Sequence, residues 1–304
     1  MATPTPPMPS PRPDSIPGLA LSMESSFLGY FAHAGFLGAL HAAGIYPDHL
    51  AGASSGSLIA VLAAAGFSTE RIRQEIFNPA FKRAFWEWGS FPRMMGMTFW
   101  LRGATGFSSA AKARRHLELV FRDSAPRLEN CRAAKVSVAV ANLSRKRTEI
   151  LESGASAEAI IASCAFPGLI CPQKLAIGYC WDGGLADSCP FVHYASNPNV
   201  HTIITHHIDH PGHGDGWEKP DFVPRISDAM GRAHEVITRE LRELHIAKVI
   251  AAGKTLLPVT TMVMRPGPVT SYKKLQQCYD AGWSSGSDFA ASWSQRSPSP
   301  HTEL

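Results

Sequence analysis

Gly52-Ala53-Ser54-Ser55-Gly56 places a serine two residues from a glycine on either side. This is the G-x-S-x-G spacing of a nucleophile carried on a sharp strand-to-helix turn. The requirement is steric. Such a turn folds the chain back on itself, so Gly52 and Gly56 must be small, and the helix that follows brings unpaired N–H groups and the positive end of its dipole to where a negative oxygen would develop. The spacing selects Ser54 over its neighbours Ser55 and Ser57. A serine hydroxyl needs a base within hydrogen-bond reach. Tyr179-Cys180-Trp181-Asp182-Gly183-Gly184 offers one: an apolar run ending in a carboxylate, then two glycines that permit a tight turn. The expected place is the C-terminal end of another parallel strand, where the loops of the sheet share one crevice. Burial there would raise the carboxyl pKa and make Asp182 a better base. Taken singly, each motif also reads as an ordinary turn. Histidine is the usual alternative base, and 13 are present. His206, His207, His210 and His213 gather near Asp209 and Asp215 without the H-E-x-x-H spacing of a zinc site. That stretch reads as a solvated Pro/Gly-containing loop after a strand, and no metal is expected.

The elements that must position these residues alternate. Leu19–Met23 is a short apolar run that reads as a buried strand, and Phe31 to Ala43 carries apolar residues at helical spacing until Gly44 stops it. His49–Ala53 reads as a strand running into Ser54, Ser57 to Ala65 as a helix, and Ser68 as the cap of the next helix. Further strands are expected at Lys135–Asn142, Arg147–Leu151, Gly178–Trp181, Val200–His206 and Leu257–Met264. Helices are expected to end at Cys164, to run from Ile226 to Ala251 as one or two pieces, and to close the chain from Tyr272 to Trp293. Alternating strands and helices predict an α/β fold around a largely parallel sheet. Residues 1–18, rich in proline and serine, read as a disordered tail; residues 19–294 read as one domain; residues 295–304 read as a loose tail.

The 304 residues are 45% hydrophobic and 18% charged with a net charge of +4, ordinary for a globular chain and far from the basic stripe of a nucleic-acid binder. The six cysteines form no C-x-x-C pair and lie mostly in apolar stretches, which reads as buried free thiols in a reducing compartment. No run of about 18 apolar residues and no signal peptide is recognised, so the expectation is a cytoplasmic protein. The segment 81–107 breaks the rhythm. It holds Phe81, Phe85, Trp86, Trp88, Phe91, Met94, Met95, Met97, Phe99, Trp100 and Leu101 with Lys82, Arg83, Arg93 and Arg102 among them. It reads as a long loop or helix pair packed on the core, as a lid or wall of an acyl-chain site that makes peripheral membrane contact, or as both together.

The two motifs, in this order and about 130 residues apart, resemble the patatin-like phospholipase family. His33-Ala34-Gly35-Phe36-Leu37, Ala42-Ala43-Gly44-Ile45 and the Ser54 motif follow the family's first part. Ala162-Ser163-Cys164-Ala165-Phe166-Pro167-Gly168 is similar to the segment before its aspartate, and Asp182-Gly183-Gly184 with Pro190 matches its D-G-[AG] region. The resemblance implies a three-layer α/β/α sandwich with a mostly parallel central sheet. It also implies a Ser54–Asp182 dyad that cleaves lipid acyl esters through an acyl-enzyme, and no metal or organic cofactor. It implies an oxyanion hole built from Ser25, Ser26, Phe27, Leu28, Gly29 and Ser55. Here the chain departs from the family, whose glycine-rich loop is replaced by Glu24-Ser25-Ser26-Phe27-Leu28-Gly29. Serine adopts positive φ only at a cost, Glu24 adds a negative charge near the expected oxyanion, and losing one oxyanion donor costs on the order of 10²–10³ in turnover. Asp187 stands where Asn is common in the family.

The sequence thus points to a lipid acyl hydrolase. The altered loop keeps open a catalytically impaired relative that binds lipid or a protein partner, and a third reading is a hydrolase or acyltransferase of small or CoA-linked esters.

Overall fold

The computed structural model describes residues 15–85, 91–99, 103–211, 223, 226–267 and 270–296. In order these form β1 (Ile16–Met23), α1 (Tyr30–Ala42), β2 (Pro47–Ala53), α2 (Ser55–Ala64), α3 (Thr69–Phe77), α4 (Pro79–Phe85), α5 (Phe91–Thr98), β3 (Gly106–Ser108) and α6 (Ala111–Phe121). There follow β4 (Lys135–Asn142), β5 (Arg147–Leu151), α7 (Ser156–Ser163), β6 (Gly168–Ile170), β7 (Gln173–Leu175), β8 (Gly178–Asp182), β9 (Thr202–Asp209), α8 (Ile226–Ala251), β10 (Thr255–Met262) and α9 (Tyr272–Arg296). The first strand already begins at Ile16, inside the stretch read as a tail; residues 1–14 lie outside the described set, as do residues 297–304 of the expected C-terminal tail.

The main sheet has the order β10-β9-β1-β2-β4-β8-β7, with β5 also paired to β4. Strands β10, β9, β1, β2 and β4 are mutually parallel, whereas at one end β5 and β8 run antiparallel to β4, and β7 antiparallel to β8. Alternation along β1 sets the layers: Leu19, Leu21 and Met23 enter the larger core, and Ala20 faces the smaller one. The larger core is covered by helices. Tyr30 to Leu40 of α1 and all of α2 are buried, so these helices carry no polar stripe and form a true interior layer. Helix α9 lies directly on α1: a Cβ on Gly35 would sit 2.0 Å from the Tyr279 carbonyl oxygen, and one on Gly282 would sit 2.0 Å from that of Ala32. The opposite face is thinner. Phe191, Tyr194 and Val249 of α8 cover Ala20, Ala51 and Ile203 there.

One expectation changes, and another is resolved into parts. Strand β9 continues through Asp209, so His206 and His207 lie inside a central strand and are buried rather than solvated. The segment 81–107 divides: Phe81 is fully buried and Phe85 packs on the core, while Phe99 is 65% exposed. Trp86, Trp88, Trp100 and Leu101 lie outside the described residues. All six thiols are free; Cys180, Cys189 and Cys278 are buried and the other three partly so. Among the described residues no helix is long and apolar enough to cross a membrane.

Candidate active site

Ser54 links the end of β2 to the start of α2 with φ 50° and ψ −120°. A left-handed φ on a residue with a Cβ is strained and is held in place by its surroundings. The surroundings are visible. A Cβ on Gly52 would lie 2.3 Å from the Gly56 carbonyl carbon, and one on Gly56 would lie 2.3 Å from the Met23 carbonyl oxygen. The two glycines are therefore required by closeness of approach, as the spacing predicted. The Ser54 N–H donates to Ser163 Oγ at 2.8 Å, and that hydroxyl donates to the Ala139 carbonyl at 2.7 Å. The Ser54 carbonyl accepts from the Ser57 hydroxyl at 2.6 Å and from the Ser57 N–H at 3.0 Å. From His49 to Ala65 every residue is buried except Ser54, which is partly exposed.

Asp182 reaches this turn by a route the sequence did not show. Strand β8 is antiparallel to β4, with Val140 opposite Asp182, and Ala139 of β4 is paired with Ala53 of β2. The carboxylate therefore descends into the sheet from its C-terminal edge and stops one strand from Ser54, instead of standing at the end of a parallel strand. The turn that follows needs no positive φ at Gly183 or Gly184. The glycines are there for space: a Cβ on Gly183 would sit 2.3 Å from the Ala139 carbonyl oxygen, and one on Gly184 would sit 2.2 Å from Ser25 Oγ. The Asp182 backbone N–H donates to the Ala165 carbonyl at 3.0 Å, and Oδ1 accepts from the Gly184 N–H at 2.8 Å. Burial pushes the Asp182 carboxyl up to about 7, against the pull of the Ser54 hydroxyl and the Gly184 amide, both of which favour its charged form. Cys164 lies beside the same groups, and burial together with the Asp182 charge holds its thiol far above the ordinary range, so it stays protonated.

The loop after β1 is built differently from the expected oxyanion hole. The Ser25 N–H donates to the Ser188 carbonyl at 2.6 Å, that of Ser26 to Ser55 Oγ at 3.2 Å, and that of Gly29 to the Ser26 carbonyl at 3.0 Å. These three amides are therefore engaged. Among the described residues, the Phe27, Leu28 and Ser55 amides have no such partner. The positive φ falls on Leu28, at 56°, and not on Ser25 or Ser26. Nor does Glu24 face the dyad. Its carboxylate turns toward β9 and α8, where Arg242 and His207 meet it.

The histidines have structural partners. His33 Nδ1 and His206 Nδ1 are 2.8 Å apart, His33 Nε2 meets the Glu24 carbonyl at 2.8 Å, and His206 Nε2 meets Thr261 Oγ1 at 2.8 Å. His207 meets Thr205 and Glu24, and His210 meets the Val263 carbonyl. His213 and Asp215 lie outside the described residues. Among the described residues no three His, Cys, Asp or Glu side chains converge as metal ligands. Ser163, Ser188 and Arg242 are the residues of this region that the sequence left without a role. Ser163 lay within a recognised segment, whereas nothing local marked the other two.

The sequence model of the patatin-like phospholipase family matches residues 21–195, more than half of the chain, and spans both Ser54 and Asp182. Among solved structures, VipD from Legionella pneumophila is similar at a TM-score of 0.50 and 14% identity, covering 92% of this chain and 67% of that one. The type III effector protein ExoU is similar at 0.41 and 10%, covering 94% of this chain and 54% of that one. The chain thus spans about two thirds and about half of those proteins. The likeness to VipD bears on the fold alone. No curated protein matches. The fold and the matched segment agree with what the Ser54 and Asp182 motifs implied, and the chain belongs to the patatin-like phospholipase family.

Proposed function

We propose that the chain cleaves carboxylic esters of lipids, in the manner of a phospholipase A or acylglycerol esterase, with Ser54 as nucleophile and Asp182 as base. One observation carries this reading: a partly exposed serine at positive φ faces a buried carboxyl lifted to about 7. A base with that pKa is ionised in part at neutral pH and still accepts a proton readily. In acylation, Ser54 Oγ bonds to the ester carbonyl carbon while its proton passes to Asp182. The Phe27, Leu28 and Ser55 amides supply the donors for the oxyanion. The bond to the alcohol oxygen then breaks, and the alcohol leaves with the proton from Asp182. In deacylation, water gives a proton to Asp182 as its oxygen bonds to the acyl carbon. Breaking the Ser54 ester returns the proton to the serine and releases the fatty acid. The reaction needs no cofactor.

A lipid substrate is supported by the apolar side chains on segments flanking the dyad. Phe27, Phe166 and Leu169 are exposed, and β6, which carries Leu169, pairs with β3, on which α5 with Met95 packs, followed directly by the exposed Phe99.

The test compares wild type with Ser54→Ala on short- and long-chain p-nitrophenyl esters and follows labelling by a fluorophosphonate. Turnover should favour long chains and fall by about 10³-fold or more in the variant. Retained activity in Ser54→Ala would end the mechanism. Preference for short acyl groups or CoA-linked esters would replace the lipid assignment. Absence of both turnover and labelling in wild type would leave an impaired relative that binds lipid or a protein partner.

A further inference from the structure

Two buried acidic side chains stand at the roots of the loops that frame the dyad, and one helix supplies a basic side chain to each. Glu24 follows β1 and is 6% exposed. Every polar group it has is engaged. Its N–H donates to the His206 carbonyl at 3.1 Å, and its carbonyl accepts from His33 Nε2. Its carboxylate accepts from the Ile208 N–H at 3.1 Å and the Ser188 hydroxyl at 3.2 Å, and pairs with His207 Nδ1 at 3.3 Å and with the Arg242 guanidinium. Burial pushes this carboxyl up, yet His207, Arg242 and the Ile208 amide together bring it down to about 2, so it stays charged. Asp187, beyond the Asp182 turn, pairs with His245 at 3.6 Å. Arg242 and His245 are three residues apart on α8 and so share a helix face. The two loops are also joined directly, through the Ser25 N–H and the Ser188 carbonyl. Helix α8 lies beyond the segment matched by the family model.

Resting on the hydrolase reading above, we infer that Arg242 is a positioning residue: by holding the Glu24 carboxylate against β9 and α8, it fixes the loop whose Phe27 and Leu28 amides remain unpaired. The argument is one of geometry and charge. The amides that would meet an oxyanion lie three and four residues from Glu24, on a backbone whose left-handed turn at Leu28 is not held by a glycine. Oxyanion donors contribute only when aimed at the developing charge. Without Arg242 the carboxylate loses its guanidinium partner, and a less compensated buried anion reorganises or takes up a proton. Either change frees the root of the loop.

The experiment uses the full chain, with active sites titrated by a fluorophosphonate so that kcat refers to folded, reactive enzyme. Arg242→Met should lower kcat at least tenfold with KM within about twofold, and Arg242→Lys should recover most of the loss, since it restores the cation. Glu24→Gln guards against a folding failure. It leaves no buried anion unpaired, and the Arg242 side chain, 36% exposed, remains solvated. It should lower kcat about fivefold or more, and the double variant should be no worse than the poorer single one, as expected of two residues that act as a unit. Wild-type kcat per titrated site in both Arg242→Met and Glu24→Gln, with only melting temperature reduced, would overturn the inference and leave the pair a structural tie. Wild type that neither turns over esters nor labels would instead remove the hydrolase reading itself.

Discussion

The chemistry of Asp182 is set by where the chain puts it. Desolvation lifts its carboxyl to about 7, and the Ser54 hydroxyl and the Gly184 amide only partly offset that. Under the proposed mechanism, kcat/KM should therefore rise with pH through about 7 as Asp182 ionises, a limb that a pH–rate profile reads directly. The same shift has a cost in stability. The folded carboxyl holds its proton to higher pH than the unfolded one, so this group favours the native state below pH 4, and that contribution is lost as pH rises through 7. Asp182→Asn should then be more stable than wild type at pH 8, by as much as about 4 kcal/mol, and nearly equal to it at pH 4. Its residual esterase rate should be small. Equal stability at both values would mean that burial does not hold the proton. Ser54 was legible in the sequence because the sterics of its turn are local, written in Gly52 and Gly56. Asp182 was legible as a carboxylate ending an apolar run, but its approach along an antiparallel strand was not, because strand direction is decided by pairing with β4. Arg242 left no local trace at all: its partner lies 218 positions earlier in the chain.

At the scale of elements, the parallel core was readable from strand-and-helix alternation, and the long helices from their periodicity. The buried character of β9 was not. A histidine pair beside aspartates looked solvated, but β9 lies between β1 and β10. The resulting contacts form a chain across four elements. His33 of α1 donates from Nε2 to the Glu24 carbonyl, which leaves its Nδ1 to accept from His206 of β9. His206 Nε2 then accepts from Thr261 of β10, whose hydroxyl also meets Ser285 of α9. This arrangement needs both imidazoles neutral. Burial holds His33 down to about 4, and it also drives His206 well below its ordinary value. The native state therefore binds fewer protons than the unfolded chain between about pH 4 and 6.5, and stability falls as pH drops through that window. The loss from His33 alone should reach about 3 kcal/mol. Asp182 acts in the opposite direction over the same range, so the measurement belongs in the Asp182→Asn background. Urea melts of that variant from pH 7 to 4.5 should show a steep decline, and adding His33→Asn should flatten it. An unchanged slope would show that these histidines are not the acid-sensitive groups.

For the molecule as a whole, the question raised by the proposed function is how Ser54, only partly exposed, and the buried Asp182 would meet a lipid substrate. The basic, aromatic segment 81–107 left a lipid surface open, but the sequence could not separate core aromatics from exposed ones. The fold does. Phe81 is wholly interior, whereas Phe99 on the segment after α5 is 65% exposed and Phe166, adjoining the Ala165 carbonyl that holds the Asp182 amide, is 45% exposed. Arg93, on α5, is exposed as well. Exposed rings and an exposed basic side chain suit an anionic interface, where rings enter the headgroup boundary and charge adds a salt-dependent attraction. Burying half a phenylalanine contributes about 1 kcal/mol, so Phe99→Ser with Phe166→Ser should weaken binding to anionic phospholipid vesicles by roughly tenfold or more. Their exposure predicts little loss of fold. Cosedimentation with vesicles, at low and high salt, reads the affinity, and hydrolysis of vesicle lipid against a soluble short-chain ester reads its consequence. A loss confined to the vesicle substrate would place these residues at the interface with the membrane. An equal loss on both substrates would place them in the acyl site itself, and unchanged vesicle binding would return the exposed rings to the ordinary apolar fraction of a protein surface.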